Sequence, residues 1–357
     1  MDAIPADPDD NGFWNAQWQV NGECGADAGG HVVGALDGVE ARIAGRRPKS
    51  LFAGRAVALA HAYWNWMSLL LRMLRRLTLL AERGLAQPPL ERLPLPVNGL
   101  AAEPVRRHLQ SLDLQGREYL DMHLERLTST LQRVPRAGNA AAEILEIGFY
   151  GHLASLLASE LGYKVRGAYL GRQGDIDRRI ITAAGEEVAD ILVDLFNAER
   201  DQWPYGDSRF DGVLVCEVVE HLVCDPMWML WEANRVLMPG GWILLTTPNC
   251  ASYRSLERAL LHLENPQVFS RYNSRDPDEP PHVREYTVKE IEWALTAAGF
   301  RVLGIETARE PGALASGWLD EVFAKHGLPR GHRGEQIYCL AEKTGAPQER
   351  FPAFLYT

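Results

Sequence analysis

The stretch Phe210–Asn249, FDGVLVCEVVEHLVCDPMWMLWEANRVLMPGGWILLTTPN, constrains the fold more than any other part of the chain. Val213 to Val215 is a short apolar run of the kind that fills a strand covered on both faces. Asp225 followed by Pro226 starts a helix: an oxygen caps free amides, and a ring stands where no N–H is needed. Leu230, Ala233, Val236 and Leu237 recur at helical spacing, so one face of that helix is buried. Pro239-Gly240-Gly241 ends it, and Trp242 to Thr246 runs extended again. A strand, a crossover helix and a second strand, all apolar, make a parallel βαβ unit with a right-handed crossover. Ligands of such sheets bind beyond the carboxyl ends of the strands. Those ends carry Cys216, Glu217, Glu220 and His221, then Thr247, Pro248 and Asn249.

From Glu143 onward strands and helices alternate, which predicts an α/β domain. Strands are expected at Glu143–Ile147, Lys164–Tyr169, Val188–Val193, Arg301–Glu306 and Gln336–Ala341, beside the two in the βαβ unit. Helices are expected at Gly151–Leu161 and Val288–Ala298, the latter opened by a capping box of Thr287 and Glu290. Upstream, residues 1–50 read as a loop-rich arm and 51–135 as a helical N-terminal domain. Its second long helix opens at Pro104 and carries Leu120, Leu124, Leu127 and Leu131 on one face. Residues 136–345 form the α/β domain, with an insertion at 250–281 that suits a lid over the substrate, and 346–357 a C-terminal tail.

The ordered set FD, buried strand, E-x-x-E-H turn, L-x-P-G-G and T-P-N closely resembles the second half of class I S-adenosylmethionine-dependent methyltransferases, in their small-molecule branch. The resemblance covers roughly residues 140–343. It implies a Rossmann-like sheet of seven strands, mostly parallel with the last antiparallel, joined here to an α-helical N-terminal domain. It also implies S-adenosyl-L-methionine as cofactor, held by Glu146 and Gly148 of ILEIGFYGH and by Tyr150 and Gly151 of the same turn. In this chain Tyr150 and His152 replace the family's second and third glycines. Tyr169 stands where the family carries a ribose-binding carboxylate, with Asp175 and Asp177 nearby. Asp194 resembles the carboxylate that binds the adenine amino group, with Leu195 as an apolar cover, while Cys216 and Glu217 close the pocket.

An imidazole can take a proton from a hydroxyl nucleophile, which makes His221 and His282 the catalytic candidates. The alternative for Glu217, Glu220 and His221 is a purely local role in shaping their turn. Asn249, Arg284 and Tyr286 are the candidates for substrate binding. Similar proteins with this T-P-N, insertion and H-x-R-E-Y order often modify sugars, glycan precursors or small polar metabolites, and the resemblance implies an acceptor of that class. The expected reaction is in-line methyl transfer to oxygen or nitrogen. The competing reading is a domain that kept the fold, lost catalysis, and serves as a binding or scaffolding subunit. No H-x-x-H or clustered carboxylate pattern points to a metal, so none is expected.

A formal net charge of −10 and the absence of any long basic run argue against nucleic acid as a partner. The uncharged run Ala56–Leu71 is too short to span a bilayer and contains His61 and Asn65. It suits a homodimer mate or a protein partner docked on the N-terminal helices. Five cysteines without metal-ligand spacing, and an acidic start with no apolar core, are consistent with a cytoplasmic protein.

Overall fold

The computed structural model describes residues 94–114, 117–267, 281–309 and 317–356. Two units divide the chain, Met1–Gln87 and Pro88–Thr357, and every described residue belongs to the second. The expected arm over 1–50, the tryptophan-rich helix before Arg83 and the polar loop of 268–280 lie outside the described residues.

Eight strands form one sheet: β1 (Glu143–Ile147), β2 (Lys164–Tyr169), β3 (Ile176–Ala183), β4 (Glu186–Leu195), β5 (Phe210–Cys216), β6 (Leu237–Pro248), β7 (Phe300–Ala308) and β8 (Gln336–Lys343). Their order is β3-β4-β2-β1-β5-β6-β8-β7. The run from β4 to β6 is parallel, and β8 is antiparallel to both β6 and β7. The mostly parallel sheet with an antiparallel last strand is therefore present. The strand count is eight rather than seven, because β3 folds back along β4 through Ala184 and Gly185, both at positive φ.

Side chains alternate between the two faces of the sheet. Leu145, Ile147, Val213, Val215, Ile243 and Leu245 point into one core, with helices α4 (Pro226–Val236) and α6 (Val288–Ala297) above them. Ile144, Leu214, Leu244, Tyr338 and Leu340 point into the other. That second core is closed by α1 (Ala102–Ser111), α2 (Arg117–Arg133) and α3 (Ala154–Ser159).

The long helix expected from Pro104 is thus two helices. Between them Leu112 bridges to Ala183 and the Asp113 amide donates to Thr182, so the chain leaves its helix to bind the added strand β3. The predicted leucine stripe does face inward, with Leu120, Leu127 and Leu131 buried against the sheet. Arg133 reinforces it, hydrogen-bonding Glu306 on β7 and lying 4.5 Å over the ring of Tyr338. Helices α1 and α2, expected in a helical N-terminal domain, thus pack into the sheet's own core.

Local signals in the βαβ unit are realised in detail. Asp225 accepts from the Trp228 amide at 3.1 Å with Pro226 in the first turn. Thr287 and Glu290 make a reciprocal capping box at the start of α6. The insertion opens with α5 (Tyr253–Glu257) and a π-turn over Arg258–His262, and α7 (Gly317–Lys325) precedes β8. The C-terminal segment is bound rather than loose: Arg350 and the Tyr356 hydroxyl both donate to Asp225. Among the described residues no helix is long and apolar enough to cross a membrane.

Truncating the fully buried Leu131 to Ala should lower the unfolding free energy of the sheet unit by about 2–5 kcal/mol. Urea melts followed by far-UV circular dichroism read this directly. An unchanged midpoint would mean that α2 is not part of that core.

Candidate active site

β1 is followed by Gly148, whose φ of +74° and close approach to the turn after β5 both require glycine. A Cβ there would lie 2.7 Å from Val218 Cγ2. The amides of Gly148 and Phe149 both donate to the Ala168 carbonyl at 3.0 Å, which closes the turn against β2. Beyond the carboxyl ends of β1, β2, β4 and β5 lies a cavity of about 300 Å³. This is where the strand order changes direction, the usual binding position of an open α/β sheet. Its lining includes the apolar side chains of Leu170, Phe196, Ala198 and Leu222 and the polar ones of Tyr150, Tyr169, Glu217 and His221.

Glu217 follows β5 in the left-handed region, φ +56°, a conformation that costs a non-glycine residue about 1–2 kcal/mol. Four contacts hold it there. Its amide donates to the Thr246 carbonyl at 2.9 Å, and its Oε1 accepts from Thr246 Oγ1 at 2.8 Å and Gln336 Nε2 at 2.6 Å. Its Oε2 lies 3.2 Å from Arg126 Nη1. Burial works against the Arg126 charge, but Glu217 and Tyr119 outweigh it and hold the guanidinium protonated.

Arg126 comes from α2, as do Tyr119 and His123. Their spacings of four and three put all three on one helical face. Arg126 Nη2 donates to the Tyr119 hydroxyl at 2.7 Å. The Tyr119 ring lies 4.5 Å from His123, 5.5 Å from His152 and 6.0 Å from Tyr150, which forms a continuous wall leading to the cavity. His123 and His152 are pushed down to about 4, by burial first and the Arg126 charge second. Arg126 Nε, His152 Nε2 and Glu146 Oε2 are buried without a hydrogen-bond partner among the described residues.

His221 and His282 meet edge to face with ring centroids 4.7 Å apart. The chain before α6 is pinned there because the amides of Val283 and Arg284 both donate to the Glu220 carbonyl, at 2.7 and 3.2 Å. Glu220 itself is fully buried, and its Oε2 accepts from Thr247 Oγ1 at 2.9 Å. Its carboxyl is held well above the usual range, by burial first and by Glu217 second.

Of the residues singled out from sequence, Gly148, Tyr150, Tyr169, Glu217 and His221 line the cavity, and His282 adjoins His221. Others are used elsewhere. Asp194 is buried outside the cavity, taking Arg166 Nε and Nη2 at 2.6 and 2.5 Å and the Tyr205 hydroxyl at 2.7 Å. Its oxygens are committed to an internal ion pair rather than offered to an adenine. Gly151 is needed because a Cβ would meet Ile181 of β3 at 2.5 Å, and Leu195 packs against Gly171. Cys216 and Glu146 turn toward the α2 side of the sheet, outside the cavity lining.

Asn249 is also structural, since its Nδ2 donates to the carbonyls of His332 and Gly334 at 3.0 and 2.7 Å. Tyr286 is core, 2% exposed, and Arg284 is drawn to Glu290 at 2.7 Å and over the Tyr286 ring. The sequence reading missed the loop after β4, where Phe196, Asn197, Ala198 and Glu199 face the cavity. It also missed the α2 face of Tyr119, His123 and Arg126, although the spacing of those three residues was visible.

A family described as a methyltransferase domain matches residues 117–305, more than half of the chain. The chain belongs to this methyltransferase family. An S-adenosylmethionine-dependent methyltransferase of Mycolicibacterium smegmatis is 30% identical over 161 residues, covering 43% of this chain and 53% of that protein. A ubiquinone biosynthesis O-methyltransferase of Cereibacter sphaeroides is 35% identical over 108 residues, 30% of this chain and 41% of that one. The chain thus spans about half the length of the curated relatives it matches. Among solved structures, a SAM-dependent methyltransferase from Archaeoglobus fulgidus aligns with 18% identity over 68% of this chain and 95% of that one, with a TM-score of 0.36.

The site fits the family's cofactor, S-adenosylmethionine. The glycine turn admits close approach to backbone, the apolar lining of Leu170, Phe196, Ala198 and Leu222 suits a flat base, and Tyr150 and Tyr169 bring hydroxyl groups to the lining. The methyltransferase site is also a place of displaced protonation. Burial alone raises the Glu146 carboxyl to about 8 from an unfolded value of 4.5. Between those values the folded state keeps a proton that the unfolded chain has shed, so stability falls as pH rises. His123 and His152 titrate below that range in the folded protein and near 6.5 in the unfolded chain. From pH 6.5 to 8 the wild type should therefore lose up to about 2 kcal/mol more stability than Glu146→Gln. Urea melts across that range test this, and parallel profiles would show that the carboxyl ionises normally.

Proposed function

We propose that this chain transfers the methyl group of S-adenosylmethionine to a hydroxyl of a small polar acceptor. The observation that carries the reading is the cavity at the switch point of the sheet, bordered by the Gly148 turn and Val218 and lined by both apolar and polar side chains. S-adenosylmethionine, when bound, supplies a methyl group already activated by its sulfonium charge, so the C–S bond breaks with its electron pair returning to sulfur as the new C–O bond forms.

The residues of this chain then have three tasks. Gly148 lets the backbone approach the ligand, and Tyr169 and Tyr150 present hydroxyls in place of the missing ribose-binding carboxylate. Phe196, Ala198 and Leu222 exclude water and so strengthen the polar contacts in the cavity. His221, with His282 beside it, promotes loss of the acceptor's proton, which is why a hydroxyl is favoured over an amine. The O-methyltransferase named among the relatives is in keeping with that choice. Sugars, glycan precursors and other hydroxylated metabolites are the acceptor class.

Calorimetric titration of S-adenosylmethionine and S-adenosylhomocysteine into the full-length protein tests the reading. Both should bind, and Gly148→Ala should weaken binding by about 10-fold or more while the protein remains folded. A folded wild-type protein that binds neither ligand would overturn the proposal and leave a binding subunit built on the methyltransferase fold.

A further inference from the structure

We propose that Glu220, His221 and His282 bind a divalent transition-metal cation at the edge of the cavity. A carboxylate oxygen and one nitrogen from each imidazole lie within 4.8 Å of one another. Donors bound tetrahedrally to one ion at about 2.0–2.2 Å stand about 3.3–3.6 Å apart, so side-chain shifts of about 1 Å complete the set.

Three further observations point to a ligand there. Glu220 is fully buried, yet its Oε1 has no hydrogen-bond partner among the described residues. An unmet buried carboxylate oxygen is costly, and a cation is the partner that would offset that cost. The placement of His282 is also built rather than incidental, since the two amides that follow it, Val283 and Arg284, both bind the Glu220 carbonyl. Finally, Glu285 Oε1 lies 3.7 Å from His282 Nδ1, and a carboxylate beside the second ring nitrogen is the common outer partner of a metal-bound histidine. Glu217, the adjacent carboxylate, is excluded from the set because Thr246, Gln336 and Arg126 occupy both its oxygens.

Two imidazoles and one carboxylate favour zinc, cobalt, iron or manganese over magnesium or calcium, which prefer all-oxygen sets. What such a cation does rests on the methyl-transfer reading above. Held beside the cavity that His221 lines, it would take the acceptor oxygen as a further ligand and make its O–H more acidic. His221 and His282 would then act on the acceptor's proton through the metal rather than by accepting it themselves.

The binding claim is tested without cofactor or acceptor, so its outcome is independent of the function. Co²⁺ is titrated into full-length protein that has been stripped with a chelator, and the visible ligand-field absorption is followed. One equivalent should bind. His282→Ala, on a half-buried segment, and the near-isosteric Glu220→Gln should each weaken binding by at least about 10–100-fold. Circular dichroism establishes that each variant is folded. No Co²⁺ absorption with the wild type, or an affinity unchanged in a folded His282→Ala or Glu220→Gln, would overturn the proposal.

Discussion

The ion pair between Arg126 and Glu217 is the contact on which the site depends, because neither charge can be left alone where it lies. Their side chains are only 10% and 16% exposed, and removing one partner of such a pair costs about 3–5 kcal/mol. The pair also joins elements that the chain keeps far apart: α2, the turn after β5, and, through Thr246 and Gln336, β6 and β8. With Glu217 held in a left-handed conformation, the next residue, Val218, closes over Gly148, and the residues after it bring Glu220 and His221 to the cavity edge. The backbone strain at Glu217 is sustained by four contacts, which is the usual way that a functional turn keeps an unfavourable geometry.

Several buried polar groups are under-satisfied. Arg126 Nε, Glu146 Oε2, His152 Nε2 and Glu220 Oε1 have no hydrogen-bond partner among the described residues. A buried polar atom left unmet is uncommon in a folded chain and calls for an explanation at each position. Burial first, and Arg126 second, pushes His123 and His152 down, while burial raises the Glu146 and Glu220 carboxyls, with Glu217 adding to it at Glu220.

How much of this was legible in the sequence follows from how local each signal is. The Asp225-Pro226 cap and the Thr287–Glu290 box are decided within four residues, and both formed as read. The apolar strands of the central sheet were clear because burial on both faces leaves little room for polar residues. β3 was invisible because it is an edge strand whose Ile176 and Ile180 are more than half exposed, so its pattern does not alternate. Asp194 stands where the resemblance implies a ligand-binding carboxylate, while its bonds to Arg166 and Tyr205 depend on packing that no local pattern shows. Arg126 was hidden in plain view, on a helix that the leucine stripe had already explained.

The position of β8 has a consequence for how the chain assembles. It is last in sequence among the strands but lies between β6 and β7 in the sheet. Without residues 336–343, β6 would keep an unpaired row of amides and carbonyls and β7 would have no partner strand. The same strand places Ile337, Cys339 and Ala341 in one core and Tyr338 and Leu340 in the other, so it closes both layers at once. A chain lacking it would present the β6 edge to any other extended chain.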